Sequence, residues 1–172
     1  MADVSVRPAR PPDAPAIARV QLTTWRAAYG EVLPPEALAL DEADVATAWE
    51  QALSQPPSPY HRVLLALEGD DVVGLASCEP ATDDDLETAT GELGALLVEP
   101  AWGRRGHGSR LLAAAVDLWR ADDVEQAVTW VFESDQVVEG FLSSAGWGPD
   151  GAARTLESGV TAVRQRRWHT AL

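Results

Sequence analysis

The chain has 172 residues, 46% of them hydrophobic and 23% charged, which is enough for one full core and tight for two, so a single domain over 1–172 is expected. Its 27 acidic residues against 13 basic ones give a net charge of −14, which argues against nucleic acid or an anionic membrane as the main partner and favours a cationic one. The lone cysteine, Cys78, excludes an intrachain disulfide, and neither an 18-residue apolar run nor a basic-then-apolar leader stands in the sequence; a soluble, reduced, cytoplasmic protein is expected.

Residues 4–7 alternate like a short strand. Asp13 is then placed to cap a helix in which Ala18, Leu22, Trp25 and Tyr29 recur on one side, with Gly30 as its stop. Asp41 is the expected N-cap of a second helix carrying Val45, Ala48, Trp49 and Ala52. Past the Pro-rich stretch 55–59 the period shortens to that of strands at 62–67 and 72–77, joined by the turn signal Gly69-Asp70-Asp71 and followed by the acidic loop 82–85. Residues 93–98 read as a buried strand stopped by Pro100. A Gly-rich turn follows, then a helix with Leu111, Leu112, Ala115, Val116 and Trp119 on its apolar face. The chain continues with a strand at 127–132 and a helix that groups Val137, Val138, Phe141, Leu142 and Ala145. Gly146 is its C′ residue, with Trp147 as the accompanying apolar contact, and closing strands fall at 152–156 and 162–166. The order predicts an α/β domain with a mixed sheet.

The turn 102–110 holds three glycines and three arginines at a helix start. Unpaired backbone N–H groups and the helix dipole there suit a phosphate. A P-loop would need a Lys that the chain lacks, and a dinucleotide G-x-G-x-x-G begun at Gly106 would need glycine at Leu111. Val98-Glu99-Pro100 followed by Gly103-Arg104-Arg105-Gly106-His107-Gly108, and later 133–147 ending in Phe141-Leu142-Ser143-Ser144-Ala145-Gly146-Trp147, resemble the two signature segments of the GNAT (GCN5-related) N-acetyltransferases. The element order resembles that family over nearly the whole chain. The resemblance implies a splayed mixed sheet flanked by helices that opens around acetyl-CoA. It also implies a pantetheine paired with the backbone of Leu96, Leu97 and Val98, and a pyrophosphate on the amides of Arg104, Arg105, Gly106, His107, Gly108 and Ser109, with Asp135 at the family's Asn position.

The activity so implied is direct transfer of acetyl from acetyl-CoA to a primary amine of a small molecule or peptide. Three positions depart from the family pattern: Gly103 replaces Gln or Arg, Asp135 replaces Asn, and Leu142 stands where many members carry the Tyr that protonates the leaving thiolate. Leucine has no proton to donate. Water, Ser143 or Tyr29 would have to serve, or protonation is not limiting, or the chain is an acetyl-CoA-binding sensor with little catalysis. A nucleotide-binding domain of other chemistry is the third reading.

Glu92, six residues before Val98, matches the family's general-base spacing, and in a strand without a bulge it shares a face with Leu96 and Val98. Glu79 and Glu133 are the lesser carboxylates for base or cation binding. Trp25 and Tyr29 resemble a Trp-x-x-Ala-Tyr segment that covers the acceptor in some members. The His107 side chain is expected to face solvent. The scattered His61, His107, His169 and Cys78 offer no metal-ligand spacing, so no metal is expected. Arg164, Arg166, Arg167 and Trp168 form a basic island, either a homodimer interface or a charged edge strand. Stretches 25–40 and 80–90 are expected to select the acceptor. The all-Arg, Ala-rich composition fits a GC-rich, bacterial genome.

Overall fold

The computed structural model describes residues 3–86, 89–158 and 161–172; positions 87 and 88 of the expected acceptor stretch lie outside them. The elements run β1 (Val4–Pro8), α1 (Ala14–Ala28), α2 (Pro35–Leu38), α3 (Glu42–Ser54), β2 (Arg62–Glu68), β3 (Asp71–Pro80) and β4 (Thr90–Val98). They continue as α4 (His107–Ala121), β5 (Gln126–Phe132), α5 (Gln136–Ser144), β6 (Gly148–Ser158) and β7 (Thr161–Ala171). The strands form one sheet in the order β1-β2-β3-β4-β5-β7-β6, the mixed α/β architecture expected. Its one parallel pair among the described residues is β4 with β5, bridged by α4.

Helices cover both faces. On one, Leu111, Leu112, Ala115 and Trp119 of α4 and Leu142 of α5 pack with Leu64, Val73 and Leu93 of the sheet. On the other, α1 lies between two surfaces. Ile17 and Val20 press on Leu65 and Leu75, while Ala18 and Leu22 turn to Val45 of α3. That double burial explains why α1 hides more residues than a single stripe predicts.

Local chemistry sets the boundaries. Asp41 caps α3 by accepting from the amides of Ala43 and Asp44 at 2.9 and 3.4 Å, as expected. Asp13 does not cap α1. Its backbone is already helical, and its carboxylate instead takes the Arg10 amide at 2.8 Å and the Arg7 guanidinium at 2.8 and 2.9 Å. Gly146 ends α5 with φ 86°, donating to the Ser143 carbonyl at 3.1 Å while Trp147 donates to Leu142 at 3.0 Å. These two bonds make a Schellman ending.

Three expectations are corrected. Val137 and Ala145 are expected on the packed face of α5 but are exposed, Val137 by 81% because it lines the open cleft at the helix start. β7 is far longer than 162–166 and lies inside the sheet, pairing with β5 from Gln165 to Ala171, so the edge strand is β6. The basic island also dissolves. Arg167 and Trp168 are buried, and Arg164 and Arg166 flank Glu133 at 3.5 and 3.2 Å. Arg167 holds Asp85 through Nη1 and Nη2 at 2.7 and 2.5 Å and Asp150 through Nε at 2.7 Å, fastening the acidic loop to the C-terminal hairpin.

Candidate active site

The sheet opens where β4 meets β5. These strands share register only at Thr90, Gly91 and Glu92 opposite Gln126, Ala127 and Val128. The Thr129 hydroxyl donates to the Leu93 carbonyl at 2.7 Å and closes the apex; beyond it the strands diverge. A cavity of about 200 Å³ fills this fork, with Gly94 to Leu97 along one arm, Thr129 to Phe132 along the other, and Trp25, Tyr29, Leu142 and Gln165 around it. It continues into a cleft of about 1100 Å³ that reaches the start of α4, where Arg104, Gly106, His107, Gly108 and Ser109 line it. Tyr29, Leu96, Leu97, Asp135 and Val138 border both spaces.

At the α4 end, Gly106 is the N-cap with φ 82°, a backbone that a side chain resists, and Arg104 before it also has φ 59°. Gly106 has no side chain to cap the turn. The amides of His107, Gly108 and Ser109 therefore lack intrahelical acceptors and stand with the positive end of the dipole at the cleft. The His107 ring does not face solvent as expected. As the first helical residue it points back under the turn, 1% exposed, its Nε2 bonded to Glu68 of β2 at 2.9 Å. Only its backbone can serve a ligand. Arg105 turns the same way, donating to Glu68 at 2.9 Å and stacking over Trp102 at 4.9 Å, and its side chain does not line the cleft. Hydrogen bonds from His107 and Arg105 together hold the Glu68 carboxyl below the usual carboxylate range. The turn is thereby tied to β2 and presented to the cleft.

Glu92 is not on the face expected. Ser77 lies opposite Ala95 and Cys78 opposite Leu93, so Gly94 is an extra residue in β4, a bulge that inverts the alternation. Leu93, Leu96 and Val98 share the α4 face, whereas Ala95 and Leu97 pack towards α1. Glu92 therefore shares the α1 face with its cross-strand partner Glu79. Burial, then the charges of Glu79 and Asp83, push the Glu92 carboxyl up, with Arg154 and Arg167 opposing. Burial also raises Glu79. Glu92 lines neither space, since it stands just below the fork's apex.

Tyr29 and Asp135 meet across the mouth of the fork, the Tyr29 hydroxyl donating to Asp135 Oδ2 at 2.7 Å. Asp135 Oδ1 meanwhile accepts from Val138 N at 3.0 Å and caps α5. Burial, reinforced by Asp135, raises the Tyr29 hydroxyl far above its ordinary range, so it keeps its proton. Phe132 braces the ring edge-on at 5.1 Å.

A family model for the GNAT acetyltransferases matches residues 20–147. The chain belongs to the GNAT acetyltransferase family. Among curated protein sequences, none matches. Among solved structures, it is similar to the PaiA N-acetyltransferase of Thermoplasma acidophilum in complex with coenzyme A, at 14% identity and TM-score 0.77 over 99% of each chain. It is also similar to a ribosomal-protein-alanine N-acetyltransferase of Brucella melitensis, at 19% and 0.76 over 98% of this chain and 99% of that one. A GNAT acetyltransferase of Streptococcus pneumoniae gives 16% and 0.70 over 99% and 100%. At these identities the shared property is the fold.

In this GNAT chain Leu142 is 1% exposed, lodged in the core and bordering the fork, so its position offers packing and no proton. Ser143 is exposed and lines neither space. Of the hydroxyls suggested by sequence to replace the missing acid, Tyr29 is the one at the fork. Trp130 and Gln165 also line it and escaped the sequence reading. The parity of β5 sets Trp130 and Phe132 on one side, which was the available signal; for Gln165, flanked by arginines, there was none.

Proposed function

We propose that this protein is a cytoplasmic, acetyl-CoA-dependent N-acetyltransferase, one domain over 1–172, acting on a primary amine of a small molecule or peptide. The continuity of the fork with the open start of α4 carries the reading. An extended ligand bearing phosphates at one end can lie on the free amides of His107, Gly108 and Ser109 and run between the strands. Gly108 faces the Phe141 ring with only ordinary packing distance, 3.6 Å from where a Cβ would stand, so any larger side chain would narrow the cleft.

Acetyl-CoA supplies an activated acyl group, and the residues do the rest. The backbone of Leu96, Leu97 and Val98 on the fork side of β4 has no strand partner there and is free to pair with the ligand's amides. Arg104 stays exposed on the cleft rim, where it adds charge near the phosphates. Trp25 and Tyr29 shape the acceptor side. A proton from the acceptor ammonium passes through water to one of the half-buried carboxylates Glu79 and Glu92, whose raised affinity for protons suits that task. Tyr29 keeps its proton and, by turning its hydroxyl from Asp135 to the departing sulfur, serves there as a hydrogen-bond donor.

Calorimetric titration with acetyl-CoA beside ATP tests the cofactor, and turnover over a panel of primary amines tests the chemistry. Saturable binding of acetyl-CoA alone with turnover of at least one amine is expected. Equal binding of ATP, or none of either, overturns the reading. The buried Leu142 favours one alternative, an acetyl-CoA sensor; binding without any turnover would establish it.

A further inference from the structure

We propose that Glu79, rather than Glu92, is the carboxylate that takes the acceptor's proton, seated in a notch that the Gly94 bulge opens beside the fork. This rests on the acetyltransferase reading above. Gly94 borders the fork cavity. A Cβ built on it would collide with the Glu79 carboxylate, lying 2.8 Å from Glu79 Cδ and 2.8 Å from the Ser77 hydroxyl. The space that any other residue would fill at position 94 is therefore occupied by the Glu79 side chain, which lies behind the Gly94 stretch of the cavity wall. Neither carboxylate lines the cavity directly, but Glu92 lacks Glu79's place at the bulge. It sits one rung below the apex, where β4 is still paired with β5 at Val128.

Glu79 and Glu92 stand directly opposite on one face, and the Glu79 charge adds to burial in raising Glu92. Burial keeps Glu79 itself a stronger base than a free carboxylate, with the His61 charge opposing. The charged groups around the pair are Asp83 from the acidic loop, His61 before β2, and Arg154 and Arg167 from the C-terminal hairpin; the Cys78 thiol and Arg62 lie on the neighbouring strand positions. The step balances as follows. The R–NH3+ acceptor gives one proton through water to Glu79; the freed lone pair forms the C–N bond as the C–S bond breaks. The nitrogen's second proton leaves with the sulfur as the thiol, and Glu79 returns its proton to solvent.

The test compares two acceptors that differ in needing a base. A primary alkylamine that turns over is protonated at pH 7, whereas hydroxylamine, a weak base, is mostly neutral. For Glu79→Gln we expect kcat/KM for the alkylamine to fall by about 100-fold at pH 7, with the loss shrinking as pH approaches the amine's own pKa. Hydroxylamine turnover and the acetyl-CoA Kd should stay within about threefold. Gly94→Ala, whose methyl displaces the carboxylate, should reproduce the alkylamine loss without a charge change. Equal loss for both acceptors, or a Glu79→Gln enzyme as active as the parent while Glu92→Gln carries the defect, overturns the assignment. A parent protein that acetylates neither acceptor overturns the acetyltransferase reading as well, which separates the two failures.

Discussion

Replacing Arg167 by Met removes a buried cation while keeping much of its stem's bulk. The guanidinium side chain is only 5% exposed, and its partners differ in environment. Asp85 is 64% exposed, so its two hydrogen bonds exchange largely for water and add little. The Asp150 carboxylate is 17% exposed and Asp83 23%, at 2.7 and 3.7 Å; these lose a partner where water replaces it poorly. One charge-assisted bond and one weaker pairing, with two partly buried anions left beside each other, put the loss at about 2–4 kcal/mol. For a chain of this size that is a fall in Tm of about 4–16 °C, readable by circular dichroism at pH 7. Because the fastening joins the acidic loop to the hairpin, Arg167→Met should also speed amide exchange in 81–86 relative to β2. A variant within about 0.5 kcal/mol of the parent, with that loop still protected, would refute the idea that this arginine fastens it.

Glu79→Gln should raise stability while lowering activity. The folded state holds the Glu79 proton more tightly than the unfolded chain does, so the parent loses stability as pH rises through the unfolded carboxylate range and up to the raised folded value. Thermal melts should then show the variant gaining on the parent at pH 7 and matching it near pH 3; a gain that persists at pH 3 would show another cause. Gly106→Ala forces a methyl into φ 82° at the start of α4 and should weaken acetyl-CoA about 5-fold by calorimetry, matching a strain of roughly 1 kcal/mol. An unchanged Kd would mean the turn tolerates the residue. Leu142→Tyr places a phenol at the edge of the fork and should raise kcat at least tenfold where thiolate protonation limits turnover. Unchanged kcat with intact folding would show that Tyr29 and water suffice.

Apolar periodicity and turn chemistry were enough to recover nearly every element, because α4, β2 and the Asp41-capped α3 each follow a local rule that tertiary packing respects. What misled was charge. Arg167 and Gln165 lie on an interior strand, and a row of arginines reads as surface when their carboxylate partners, Asp85 and Asp150, are far off in sequence. His107 was misjudged for the same reason, since its partner Glu68 stands 39 positions away. The Gly94 bulge had no signature beyond the glycine itself, yet it moved Glu92 to the opposite face. The phosphate turn, by contrast, was legible because its donors are backbone groups fixed by the glycines nearby.

Where β4 and β5 part, two stretches of backbone face one another in the middle of a sheet. At a sheet's rim such edges are guarded by lysines, prolines or brevity, since any extended chain can add to them. Here shelter comes from depth. The α1 helix roofs one side, α5 the other, and the bond from Tyr29 to Asp135 straps the opening. The walls around the interruption thus keep its unpaired backbone from joining a neighbouring molecule's strands into a larger sheet.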